Sequence, residues 1–287
     1  MYSTTIGPAK KNVASDTRIR KKRTMSFEKL QTFDASTMVD SRISLLAKGP
    51  SGSGKTTLAL SFPEPIFLIY ADVNRDTVRR LAVDGGRDIK GIAVNEWNEY
   101  QTQIVPQIIS RRIEASTIVV DSISFLAQVM WRDLQGSRSH LTQQDFGTGL
   151  RRLSETTRDI MATSIPRGDH PGYHIVFTTH VRDVTSEQGA LLKVSPNIMG
   201  QFKDQIEAYF DYAVLTNSEM VSSTKKVNEK TVAVRSTQYK IITSPPDRYN
   251  TCKGGNLPPE IVISEGGSPF DEMNKTWKLG VSTNVSK

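Results

Sequence analysis

The chain has 287 residues, 37% of them hydrophobic, a formal charge of +7 and a single cysteine. That length and apolar content support a sizeable core, while Cys252 alone can form neither an intrachain disulfide nor a Cys-x-x-Cys metal site. The longest apolar run near the core, 66–71, is far too short to cross a bilayer and no signal segment opens the chain. These features predict a soluble, cytoplasmic protein in a reducing compartment, with no membrane partner.

The charge is gathered at the start. Residues 1–24 carry Lys10, Lys11, Arg18, Arg20, Lys21, Lys22 and Arg23 against Asp16 alone, a surplus of six that leaves the remainder near neutral. Two readings stand for this leader: a flexible arm that gathers phosphate backbones, with Lys21, Lys22 and Arg23 as contacts, or a solvated disordered segment. Phe27, Leu30 and Phe33 read as a short packing segment before the first strand. The main domain is set at 25–262, and 263–287, which shows no periodicity, is read as a loose tail.

A short apolar strand at 43–47 runs into Gly49, Pro50, Ser51, Gly52, Ser53, Gly54, Lys55, Thr56 and Thr57. This fills the Gly-x-x-x-x-Gly-Lys-Thr phosphate-loop pattern, and 57–60 continues as helix. The glycines permit backbone shapes that bring main-chain N–H groups onto phosphates, and the helix start adds the positive end of its dipole. Lys55 is placed to reach the β- and γ-phosphates of ATP. Thr56 is placed to put its hydroxyl on Mg²⁺, which takes hard oxygen ligands. The motif fixes a ligand and no pathway.

Pro63 and Pro65 end that helix and lead to a second buried strand ending near Asp72. Residues 75–83 read as an exposed helix, 92–94 as a strand, and 96–114 as an amphipathic helix kinked at Pro106. The β-branched strand 117–120 ends in Asp121, the pattern of a metal-orienting acid near Mg²⁺. Helices at 124–134 and 143–162 follow, then a strand at 174–180 ending in His180 beside the ends bearing Asp72 and Asp121. Parallel sheets place ligands beyond such ends, so His180 is read as a nucleotide sensor. His140, His170 and His174 are assigned surface or core roles. The segment 182–196 reads as a loop or hairpin with Gly189 at its tip, 200–209 as helix and 212–215 as strand. Residues 231–235 and 239–243 read as an antiparallel pair, and 245–259 as a polar, turn-rich closing run.

Assembled, residues 43–262 resemble the RecA-like ATPases encoded by bacteriophages, the small kind associated with single-strand annealing and recombination. The likeness rests on 49–57, on 62–68 leading to an acid, on 119–122, on the strand ending at His180, on 194–211 and on 243–258. The resemblance implies an α/β, RecA-like P-loop NTPase core: a mainly parallel sheet flanked by helices, with a strand-rich C-terminal part. It implies ATP and Mg²⁺, a homo-oligomeric filament or ring, single-stranded DNA, and a single-strand-binding or annealing protein as partner. Asp72 occupies the place of the family's usual glutamate, which polarises the attacking water, and is one methylene shorter. By position the DNA path falls on 135–145 and 182–196, which offer Arg138, Arg182 and Lys193. Arg248 and Lys253 are the candidates for a cation donated to a neighbour's site. A nucleotide kinase would carry an arginine-rich lid and an AAA-type motor a helical C-terminal domain, and the strand-rich C-terminal third counts against both. Two other classes stay open: a nucleotide-switched regulator or scaffold without DNA, and another phosphotransferase.

Overall fold

β-Branched and aromatic runs with opposite faces both apolar dictate buried parallel strands, and the chain builds one large sheet from them. The computed structural model describes residues 42–72, 76–227, 230–247, 250–264 and 266–279. The strands are β1 (Ser44–Gly49), β2 (Ile66–Tyr70), β3 (Ile89–Ala93), β4 (Thr117–Asp121), β5 (His174–Thr185), β6 (Leu191–Pro196), β7 (Tyr212–Val227), β8 (Lys230–Ile242) and β9 (Glu260–Ile263). Their order is β3-β2-β4-β5-β1-β7-β8-β9, with β6 paired to β5. The pairs from β3 through β7 are parallel; β7–β8, β8–β9 and β5–β6 are antiparallel.

Two helical layers cover the sheet. Leu46, Ile118 and Val120 face α5 (Ile123–Gln135), α6 (Gln143–Met161) and the segment before β4. Leu45, Ala47 and Val119 face the other way, toward α1 (Lys55–Ala59) and α8 (Pro269–Trp277). Strand alternation thus divides one strand's residues between two cores. The register Tyr70↔Asp121 and Gly49↔His180 brings the carboxyl ends of β2, β4, β5 and β1 to one edge, as expected for the site.

Several elements differ from the sequence reading. The helix expected over 96–114 is α3 (Trp97–Glu99), a π-helical stretch (Tyr100–Ile104) and α4 (Val105–Ile109), because Pro106 cannot donate into a regular α ladder. Residues 231–235 and 239–243 are not partners of each other. They belong to the single strand β8, whose partner is β7, since Ser236, Thr237 and Gln238 supply none of the residues a tight reversal requires. The helix expected at 200–209 is α7 (Phe202–Gln205) followed by a 3₁₀ turn (Ile206–Tyr209). The loose tail is corrected as well. β9 closes the sheet, and α8 is capped by Ser268, starts on Pro269 and buries Phe270 and Met273. Its core contacts include Phe62 to Phe270 at 4.8 Å between ring centroids. The leader 1–24, with Lys21, Lys22 and Arg23, and the packing segment at 27–33 lie outside the described residues.

Candidate nucleotide site

The phosphate loop turns between β1 and α1 (Lys55–Ala59) on left-handed glycines, Gly52 at φ 77° and Gly54 at φ 92°. Gly49 is needed for space: a Cβ there would stand 2.5 Å from Ser53 Oγ and from Thr216 Oγ1. Those two hydroxyls are 2.6 Å apart, and Thr216 Oγ1 also donates to the Lys48 carbonyl, so the loop is bonded to the start of β7. Lys55 Nζ donates to the Pro50 carbonyl at 2.7 Å, across the loop's own mouth.

Beneath the loop, Thr56 Oγ1 donates to Asp121 Oδ2 at 2.8 Å, and Thr178 Oγ1 donates to Asp121 Oδ1. Burial raises the Asp121 carboxyl, against the hydroxyls of Thr178 and Thr56, which favour its charged form. Burial also pulls the Lys55 ammonium down to about 8, opposed by Asp121 and Asp72. His180 closes the far side, with Nε2 3.9 Å from Asp72 Oδ2. Its backbone N–H donates to Ser124 Oγ at 3.0 Å, and its ring meets Phe125 edge-on at 5.4 Å. Burial first, and then the Lys55 charge, lower the imidazole below its ordinary value, which leaves it neutral at physiological pH.

These groups line a cleft of about 310 Å³, which brings Lys55, Thr56, Asp72, Asp121 and His180 together around the loop. A second, more apolar cavity of about 390 Å³ adjoins it, sharing Gly54, Thr57, Arg80 and Tyr239 and continuing to Leu81, Ile241, Ile263 and Gly267. A polyphosphate and an attached planar base match this pair in polarity. A family described as AAA domain matches residues 41–251. The chain belongs to the AAA domain family. No curated protein matches it.

AAA-type P-loop ATPases bind ATP, usually with Mg²⁺, and the residues here fit both. Gly52 and Gly54, both at positive φ, line the cleft without a Cβ and leave main-chain room for phosphate, and the Thr56 hydroxyl and Asp121 carboxylate are adjacent hard oxygen donors. Among the described residues no group of three His, Cys, Asp or Glu forms a metal cage, so a divalent ion here would share its shell with phosphate oxygens and water. The AAA description also answers the exclusion drawn from the strand-rich C-terminal third: β7 and β8 lie inside the matched span and are part of this AAA domain.

Sequence reasoning missed Thr77 and Arg80 on α2 (Asp76–Val83), Phe125 on α5 and Tyr239 on β8. Only Phe125 carried a signal, four residues after Asp121; Tyr239 is brought in by sheet pairing across the chain. Other assigned residues are engaged elsewhere. Arg138 is ion-paired with Asp145 at 2.9 Å and holds that carboxyl down at about 2. Lys193 pairs with Asp204 at 2.6 Å, and Arg182 is exposed on β5. Lys253 Nζ donates to the Phe210 carbonyl of its own chain while its backbone bridges Ala213, so this amine is turned inward and does not reach toward a neighbour. Arg248 lies outside the described residues. His174 is a core residue, its Nδ1 accepting the Ile43 N–H, and burial with the Arg42 charge lowers it to about 3.

Proposed function

We propose that this AAA domain hydrolyses ATP to ADP and phosphate while acting on single-stranded DNA, in the recombination, annealing or repair of a bacteriophage within a bacterial cytoplasm. The observation that supports hydrolysis is the convergence of Lys55, Thr56, Asp72, Asp121 and His180 on one cleft. Lys55 leaves the Pro50 carbonyl to meet the β- and γ-phosphates, where it offsets charge as the γ-phosphoryl departs. Thr56 and Asp121 would hold Mg²⁺, Asp121 through water, and the ion would supply neutralisation of phosphate charge. Asp72 positions the attacking water and draws on its proton, and neutral His180 can donate one hydrogen bond toward the γ-phosphate.

The reading of single-stranded DNA is supported by the surplus of six positive charges in 1–24 and by the resemblance to RecA-like phage ATPases. A homo-oligomeric filament or ring, and a single-strand-binding or annealing protein as partner, belong to the same reading. The test is steady-state ATP turnover with and without single-stranded DNA, in the intact protein and in Lys55→Ala. Turnover that rises with DNA and vanishes with Lys55 is expected. Absence of turnover in both conditions would remove the enzyme reading, and turnover or nucleotide binding without DNA affinity would leave a nucleotide-switched scaffold.

A further inference from the structure

The polar cleft and the apolar cavity meet at the phosphate loop, and four residues line both: Gly54, Thr57, Arg80 and Tyr239. These four form the neck between the cleft that holds Lys55 and Asp121 and the cavity that runs on to Leu81, Ile241 and Ile263. Gly54 and Thr57 belong to the loop and the first turn of α1. Arg80 stands on α2, which follows β2, and Tyr239 stands on β8. In the sheet order β2 and β8 lie on opposite sides of β1, so the two side chains reach the neck from opposite flanks of the loop.

The two jaws of this neck are held differently. Tyr239 is paired on both sides, to Ser218 of β7 and Ile263 of β9, so its backbone is fixed within the sheet. Its ring rests on the loop itself: a Cβ on Gly54 would come within 3.0 Å of Tyr239 Cδ1. Even so the residue is 40% exposed, which leaves aromatic surface open at the mouth of an apolar cavity. Arg80 is exposed on a helix that buries none of its residues, and it makes no ion pair among the described residues. A guanidinium is planar, weakly hydrated and stacks on flat π-systems, so this cation can follow a ring that enters the neck.

A nucleotide whose phosphates lie on the loop reaches the apolar cavity only through this neck, and its base is the one part of it with a polarity that suits the cavity. We infer that Arg80 and Tyr239 determine nucleotide specificity: they clamp the base between a guanidinium and a phenol ring and favour purine over pyrimidine triphosphates. The physical reason is area. A purine offers two fused rings to both jaws and a pyrimidine one, and the gain from stacking and from the cation above the π-face grows with the overlap. The inference rests on the reading of the cleft as an ATP site, and it goes beyond that reading by assigning the choice of base to two side chains that the phosphates do not need.

The test is calorimetry of the intact chain with Mg²⁺ and three probes: ATP, UTP and inorganic tripolyphosphate. The parent should bind ATP several-fold more tightly than UTP. Tyr239→Leu keeps apolar bulk over Gly54 and removes the ring, and it should lose roughly tenfold or more in ATP affinity. Arg80→Ala should lose roughly threefold. In both variants the preference for ATP over UTP should shrink while tripolyphosphate binds as it does to the parent, which also reports that the loop is folded. Tyr239→Phe keeps the ring and should restore ATP affinity, whereas Arg80→Lys keeps the charge without the plane and should restore only part of it. Equal affinity of the parent for ATP and UTP would overturn the proposal, as would ATP affinity that is unchanged in Tyr239→Leu and Arg80→Ala. A loss of tripolyphosphate affinity in step with that of ATP would make the residue concerned a part of the phosphate site and overturn its role on the base. A parent that binds neither ATP nor tripolyphosphate removes the nucleotide reading itself, an outcome distinct from a parent that binds ATP and variants that bind it equally well.

Discussion

The Lys55 ammonium sits where burial and phosphate act on its proton in opposite directions. In the folded chain it titrates near 8, against an ordinary 10.5, because burial disfavours its charge. The unfolded chain therefore holds this proton more tightly between those values. This group's contribution makes the protein more stable as pH rises through that window, once the buried ammonium has been neutralised. ATP should do the reverse, since a polyphosphate restores the charged form. Its affinity should fall by up to tenfold per pH unit above about 8, with proton uptake on binding. Calorimetry in buffers of different ionisation enthalpy checks this, and a flat affinity from neutral pH to 10 would show that Lys55 does not carry the phosphate contact. Asp72→Asn should leave ATP affinity intact and slow turnover by about 10²–10⁴-fold, because the amide keeps the shape and loses the base. Asp72→Glu should match or exceed the parent rate if one methylene limits the reach. A glutamate variant that binds ATP and turns over nothing would remove Asp72 from the role of base.

At the scale of elements, α8 offers the clearest test of a boundary. Phe270 is buried against Phe62 and Trp277, so Phe270→Ala should cost about 3 kcal/mol or more, read as a lower midpoint in denaturant. An unchanged midpoint would mean that 263–287 is a tail after all. The helix was in fact legible: Ser268 and Pro269 mark its start, and Phe270, Met273 and Trp277 recur at helical spacing. The short length of that pattern hid it. The turn between β1 and α1 was legible because its glycine positions answer to backbone geometry, which the sequence displays directly. β8 was misread because three polar residues, Ser236, Thr237 and Gln238, interrupt its apolar pattern, although they carry no tight-turn signal. Tyr239 and Arg80 could not be read at all. Their place in the cleft depends on which strands and helices end beside the loop, and that is fixed by the whole sheet.

For the whole molecule, the part played by the basic leader can be read by deletion. Removing 1–24 takes away a surplus of six charges and should flatten the salt slope of single-strand binding while leaving ATP affinity alone, since the loop begins at Gly49. An unaltered slope would make the leader a solvated tail and leave 135–145 and 182–196 as the places to seek the nucleic-acid contact.

The position of β1 between β5 and β7 also sets a timetable for folding. β1 is synthesised well before its partners, because Ile175 and Tyr212 lie far downstream of Ser44 and Leu45. At ribosomal speeds on the order of ten seconds separates the making of the strand from the arrival of both neighbours. During that interval Leu45 and Leu46 have no sheet to enter, and Ser53 has no Thr216 to dock on. A nascent chain is therefore expected to hold no ATP until β7 emerges, and a chain halted before β7 leaves the apolar Leu45, Leu46 and Ala47 of β1 without one of their neighbouring strands, open to aggregation.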